Sequence, residues 1–238
     1  MIIYKYNCTI NEYFIERSVL AQDPSQLQWV DNQGNIIPST KILNAIDRIG
    51  DDLYKNLPEI YEVFSKKSIY LTDNCDSMAT NGKCILMNPL WCFCVIQNAK
   101  EQGKSGVMAL EYVIVHEMLH ILFDHCTAID DSNLSDLLRQ NYAMDYEINY
   151  IIENYLYDVN GKLPFKGMTS VCNGCYNEDF GKKGLSWEEI YPIVPMDDIK
   201  RHSEKDVMSK EWNDGFIDGF NEVLVSMRKN NLVERYVI

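Results

Sequence analysis

The sequence predicts an α+β fold, and three observations carry that expectation. Residues 107–123 are nearly apolar all round, as in a helix buried on several sides. Residues 142–156 show a second helical stripe, Met144, Ile148, Ile151 and Ile152. Two short runs with strand character, 68–72 (SIYLT) and 84–87 (CILM), flank a polar turn at 73–82.

In chain order, residues 1–35 mix short apolar runs with Pro24, Ser25 and the turn signals at 32–34, which read as short strands and loops. Ser39 or Thr40 caps a helix running to about residue 65, because Ile42, Leu43, Ile46, Ile49, Leu53 and Leu57 recur at helical spacing. The two strands and the two strong helices follow, with the polar stretch 130–135 between the helices. Residues 158–184 are rich in Gly, Asn and Pro and read as loop. Ser186-Trp187-Glu188-Glu189 has the form of a capped helix start, and Pro192 and Pro195 mark a boundary. The last forty residues read as helical. This divides the chain into an N-terminal strand and loop segment (1–39), a main domain (40–195) and a C-terminal helical extension (196–238).

Composition excludes several classes. At 46% apolar and 24% charged over 238 residues, the chain is neither low-complexity nor largely disordered. Its net charge of −13 repels phosphate backbones and anionic bilayers, so neither nucleic acid nor a membrane is an expected partner. Asn7, Asn11, Glu12 and Glu16 break up the apolar character of the first twenty residues, unlike a secretory leader, and no apolar stretch is long enough to span a bilayer. The eight cysteines, several inside apolar runs, fit reduced thiols in a cytoplasmic protein better than a disulfide scaffold.

The chemistry concentrates on one helix. Of four histidines, three fall within ten residues: His116, His120 and His125. His116-Glu117-Met118-Leu119-His120 is an H-E-x-x-H on the buried helix. Side chains at i and i+4 share a face, so two imidazoles can converge on a tetrahedral zinc ion while Glu117, one step round, reaches a water on that ion. Burying two imidazoles and a carboxylate without an ion or polar partners is costly.

A third ligand must come from elsewhere. His125 lies about 180° round from His116 if the helix continues, and becomes available only if the helix ends near Asp124 and the chain turns back. Asp145 is the other candidate: Asn141, Asp145 and Asn149 make a polar row at four-residue steps in a mostly buried helix. The favoured arrangement has Asp145 as ligand and Asn149 orienting a histidine from behind, with His125 as an alternative or additional ligand.

The stretch Met78-Ala79-Thr80-Asn81-Gly82, then Asn88-Pro89, His116-Glu117-Met118-Leu119-His120 with His125, Asn141-Tyr142-Ala143-Met144-Asp145 and Ile148-Asn149 resembles a bacterial and phage metallopeptidase family whose domain often precedes a von Willebrand-A-like segment. Leu163-Pro164 and Ser186-Trp187-Glu188-Glu189-Ile190-Tyr191 resemble that family's closing element, so the likeness spans about residues 40–195. It implies a zincin-like metallodomain: a small mixed sheet packed on the active-site helix, and a following helix that bears the third ligand. It further implies a zinc peptidase acting on peptide or protein substrates. Three features depart from the family's pattern. Asp124 stands where a helix-ending Gly is expected before His125, Asn81 replaces the more usual Asp, and Asp130-Asp131-Ser132-Asn133-Leu134 fails the von Willebrand D-x-S-x-S motif at its last position.

The expected mechanism uses Glu117 as general base toward the water and then as acid toward the leaving amine. Residues 84–87 are the expected edge strand for pairing with an extended substrate. Two other readings compete: a non-catalytic metal-braced interaction module with a closed four-ligand site, and a zinc hydrolase of a non-peptide bond. Among the other features, Cys172-Asn173-Gly174-Cys175 reads as ordinary loop thiols before it reads as half a zinc site completed by Cys75 and Cys84. Cys92 and Cys94, alternating with Trp91 and Phe93, read as core filling, and Cys126 reads as packing. His202 reads as solvated, with Tyr142 and Tyr146 nearer the site and equally unassigned. Trp212, Phe216 and Phe220 form a row that either docks on the domain or binds a protein partner.

Overall fold

The computed structural model describes residues 3–7, 12–16, 28–30, 36–71, 77–80, 82–128 and 134–195. Cys75, Asn81, His202 and the Trp212, Phe216, Phe220 row lie outside these residues. The described chain is an α+β arrangement, and among the described residues no helix is long and apolar enough to cross a membrane.

Five strands form a mixed sheet. Strand β1 (Ile3–Asn7) pairs antiparallel with β2 (Glu12–Glu16) on one side and with β5 (Ser68–Leu71) on the other. β5 runs parallel to β7 (Cys84–Met87), and β6 (Met78–Thr80) closes the order β2-β1-β5-β7-β6 as an antiparallel edge. The strands of the N-terminal segment are thus continuous with the sheet of the main domain. A separate hairpin joins β3 (Gln28–Val30) to β4 (Ile36–Pro38).

The first helical stretch is two helices. α1 (Ser39–Asn56) buries the expected stripe Ile42, Leu43, Ile46, Ile49 and Leu53. It ends before Leu57, whose φ of −139° and ψ of 64° leave the helical region because Pro58 opens α2 (Pro58–Phe64). Residues 84–87 are β7 as expected, but β7 is interior, bonded on both sides, and all four of its side chains are buried. The edge on this side of the sheet is β6, three residues that the sequence hides inside a polar turn.

The segment containing Trp91 and Phe93 is a helix, α3 (Pro89–Glu101), capped by the Asn88 side chain, which accepts from the Leu90 and Trp91 N–H groups. Its helical period puts Cys92 in the core and leaves Cys94 exposed, so Cys94 is not core filling as expected. α4 (Gly106–Leu122) starts at the Ser105 cap and packs so closely on α3 that a Cβ on Gly106 would lie 2.6 Å from Ile96 Cγ2. Leu110, Ile114, Val115 and Met118 of α4 share one core with Ile69, Ile85, Met87 and the α1 stripe. Each fully buried side chain of that size stabilises by roughly 1.5–3 kcal/mol, and this burial fixes the α4 face that carries the histidines.

After a single turn, α5 (His125–Ala128) follows α4, and α6 (Leu134–Asn154) begins eight residues before the expected start at 142. Ile148 and Ile152 of α6 enter the main core. Its other flank, Ala143 and Tyr146, packs in a smaller cluster with Ile190 and Val194 from the closing segment: α7 (Glu178–Lys182), α8 (Trp187–Ile190) and a 3-10 turn (Tyr191–Ile193).

Candidate metal centre

α4 presents His116 and His120 one turn apart, and α6 crosses it with Asp145 facing them. The Nε2 atoms of the two histidines are 3.0 Å apart, and Asp145 Oδ1 lies 3.1 Å from the His120 Nε2 and 3.3 Å from the His116 Nε2. Among the described residues this is the group able to hold a metal ion. Three ligands each about 2.0–2.1 Å from a tetrahedral cation stand about 3.3–3.4 Å apart, close to the spacing here. The Asp145 side chain keeps 23% of its surface exposed, so the group is open to solvent on that side.

The proton positions make the same point. Asn149 Nδ2 donates to the Cys175 carbonyl at 2.8 Å, which fixes the amide so that Oδ1 faces His116 Nδ1 at 2.9 Å. An amide oxygen only accepts, so His116 carries a proton on Nδ1 and turns Nε2 toward the group. His120 Nδ1 lies 3.2 Å from His125 Nδ1, again with Nε2 on the inner side. With Asp145 ionised and His120 protonated on Nδ1, three acceptor atoms would meet, and a cation or an extra proton would be needed among them. Burial alone would lower the His116 pKa, but the hydrogen bond and charge of Asp145 outweigh it and hold His116 at about 9. Burial works against the Asp145 carboxylate too, yet the two histidines keep it well below its usual range. His120 is pushed down by burial and by the charge on His116, although Asp145 acts against both. The residues present fit a divalent cation that replaces the His116 proton.

Glu117 sits beside the triad and is not part of it. Burial, helped by the Asp145 charge, pushes its carboxyl up to about 8, while His116 and a backbone N–H from Thr80 on β6 pull the other way. The outer edge of the sheet therefore reaches the carboxylate that the motif marks as a base.

His125 is not brought into the triad. α4 ends at Leu122, and Asp124 adopts φ 59°, supplying the left-handed turn without glycine. Asp is one of the few non-Gly residues that takes this conformation readily. The turn does bring His125 back toward the site, but behind His120, where it is 2% exposed. Asn141 donates to the outer oxygen of Asp145 at 3.4 Å, so all three members of the polar row on α6 serve one site.

Sequence reasoning missed several supporting residues. The Tyr112 hydroxyl donates to Asn149 Oδ1 and pairs with Thr169 Oγ1 at 2.8 Å. Tyr112 precedes His116 by one turn on the same face, a signal that was available. Glu153 then holds the loop behind, accepting from the Gly167 and Thr169 N–H groups. Close approach matters as well: a Cβ on Gly174 would lie 2.9 Å from Thr169 Cγ2 and 3.3 Å from Asn149 Nδ2.

Among the described residues, Cys172 and Cys175 join no group able to hold a metal ion. The Cys172 sulfur points to the Ala109 carbonyl at 3.6 Å and the Cys175 sulfur to the Tyr142 carbonyl at 3.9 Å, on different helices. Both are reduced thiols. The Cys126 sulfur contacts the Thr80 carbonyl at 3.8 Å. Tyr146 packs edge-on to Phe180 in the smaller cluster, and Tyr142 packs against that same cluster. No known protein family, curated protein or solved structure matches this chain.

Proposed function

We propose that this protein is a zinc-dependent hydrolase of zincin-like build that cleaves peptide bonds. The observation that carries the reading is the meeting of His116 Nε2, His120 Nε2 and Asp145 Oδ1 at 3.0–3.3 Å with the Glu117 carboxyl alongside. A zinc ion held by these three residues supplies Lewis acidity, polarising a carbonyl oxygen and making water a stronger acid.

Glu117 moves the proton. As a carboxylate Glu117 takes a proton from the attacking water, and as the acid so formed it returns that proton to the leaving amine. β7 cannot pair with an extended substrate, because both of its edges are already bonded. Asn149 and Tyr112 keep the His116 ring in register throughout.

The test is zinc analysis of the purified protein followed by assay of Glu117→Gln on a peptide library. The variant should keep its zinc and lose hydrolysis by about 10²–10⁴-fold. Undiminished turnover in Glu117→Gln would remove this mechanism. Turnover confined to non-peptide esters or amides would retain the hydrolase and reject the peptidase.

A further inference from the structure

We propose that His125, backed by Glu147, is a positioning residue that fixes the tautomer of His120 from behind and so sets the metal affinity of the site. The inference rests on the reading of His116, His120 and Asp145 as a metal triad. An imidazole that binds a cation through Nε2 keeps its remaining proton on Nδ1, and that proton needs an acceptor. For His120 the partner is His125 Nδ1, 3.2 Å away. If His120 owns the proton between them, His125 must accept at Nδ1 and carry its own proton on Nε2. That nitrogen faces Glu147 Oε2 at 3.9 Å.

The surroundings hold this orientation. Glu147 Oε2 also accepts from the Trp187 N–H at 3.0 Å, which anchors the carboxylate at the start of α8. The Trp187 ring lies edge-on to His125 at 6.3 Å between centroids, and the Phe123 ring at 5.7 Å. The buried His125 ring is thus enclosed by aromatic edges, with one nitrogen aimed at His120 and the other at a carboxylate. The two ligand histidines are supported unequally: the His116 N–H meets a neutral amide, whereas the His120 N–H meets an imidazole with a carboxylate behind it. The second arrangement makes His120 the more electron-rich ligand. It also accounts for the Ser186-Trp187-Glu188-Glu189 segment, which otherwise lies outside the triad.

The test compares zinc dissociation constants, by chelator competition, for the wild type, His125→Leu, His125→Asn and Asp145→Ala. The wild type should bind one zinc. His125→Leu should bind about 10–100-fold more weakly, and His125→Asn, whose Oδ1 stands near the place of the imidazole Nδ1, should recover most of that loss. Asp145→Ala should be weaker than either. Independently of any variant, long-range ¹H–¹⁵N spectra of the zinc-loaded wild type should show His120 protonated at Nδ1 and His125 protonated at Nε2. The proposal is overturned if His125→Leu binds zinc as the wild type does, if Asn is no better than Leu, or if the spectra show a metal-bound His125. A wild type that takes up no zinc at all would instead bring down the triad reading beneath it.

Discussion

Glu111 lies on the site helix a turn and a half before His116, is 4% exposed, and is not part of the metal centre. Burial, reinforced by Asp52 on α1, raises its pKa from 4.5 to about 8. The folded protein therefore binds a proton at Glu111 that the unfolded chain releases. Below pH 4.5 the residue is protonated in both states and carries no penalty. From 4.5 upward folding loses about 1.4 kcal/mol per pH unit until the folded carboxyl ionises near 8. At pH 7 the loss approaches about 3 kcal/mol, a large share of a typical folding free energy. Glu111→Gln keeps the shape and removes the charge. In chelator-treated protein, denaturant unfolding of wild type and variant should agree at pH 4 and diverge steadily, Gln being the more stable, with the gap levelling off above about pH 8. His116 and Glu117 titrate in the same interval, but both are present in each protein and largely cancel in the difference. A gap that stays flat between pH 5 and 8 would refute a protonated Glu111.

Asn149→Ala removes the acceptor of His116 and Tyr112 and the donor to the Cys175 carbonyl. Zinc affinity should fall about 10–100-fold in chelator competition and stability by roughly 2–3 kcal/mol in thermal melts, whereas a stability loss with unchanged affinity would make Asn149 merely structural. Zinc affinity should also depend on pH: with His116 at about 9 and Glu117 at about 8 in the metal-free site, each ion bound near neutrality displaces at least one proton. Competition titrations should show affinity rising at least tenfold per pH unit until both groups have lost their protons, and levelling above about 9. A flat profile would mean that no His116 proton is displaced.

The parts of the site visible in the sequence are those written in side-chain periodicity. His116 and His120 announce themselves by i, i+4 spacing on an apolar helix, and Asp145 and Asn149 by polar residues where burial predicts apolar ones. The position of His125 was not visible because it depends on one dihedral pair, at Asp124, which decides only whether the chain turns and not where the ring lands. The third support of Asn149 is a backbone carbonyl, that of Cys175. Backbone groups leave no mark in composition or pattern. The same holds for β6, whose Met-Ala-Thr has no strand signature and is held by its pairing with Leu86 and neighbours. α3 was obscured by the alternation of Trp91, Cys92, Phe93 and Cys94, which imitates a strand. The Asn88 cap and Pro89 at the first turn decide for a helix.

Protons and metal exchange one role in this fold. Without an ion, the triad is held by the charged pair His116 and Asp145. The raised His116 pKa gives that pair its full contribution below pH 6.5, and the contribution is lost as pH climbs through about 9. The lowered Asp145 pKa adds stability above its ordinary 3.8 that disappears only in strong acid. Glu111 and Glu117, both held near 8 mainly by burial, weaken the metal-free fold over the same rising interval. The metal-free protein is therefore most secure in the mildly acidic range and loses support on the alkaline side, where His116 gives up its proton and Glu117 ionises beside Asp145. On the proposed reading a divalent cation would answer both changes: it would take the place of the His116 proton, and its charge would favour the ionised Glu117. Because the His116 tautomer is set by Asn149 through a neutral amide, losing the Nε2 proton leaves the ring in place to receive the ion. The three side chains are thus arranged with no metal present, and the proton that arranges them is the one that a bound metal would displace.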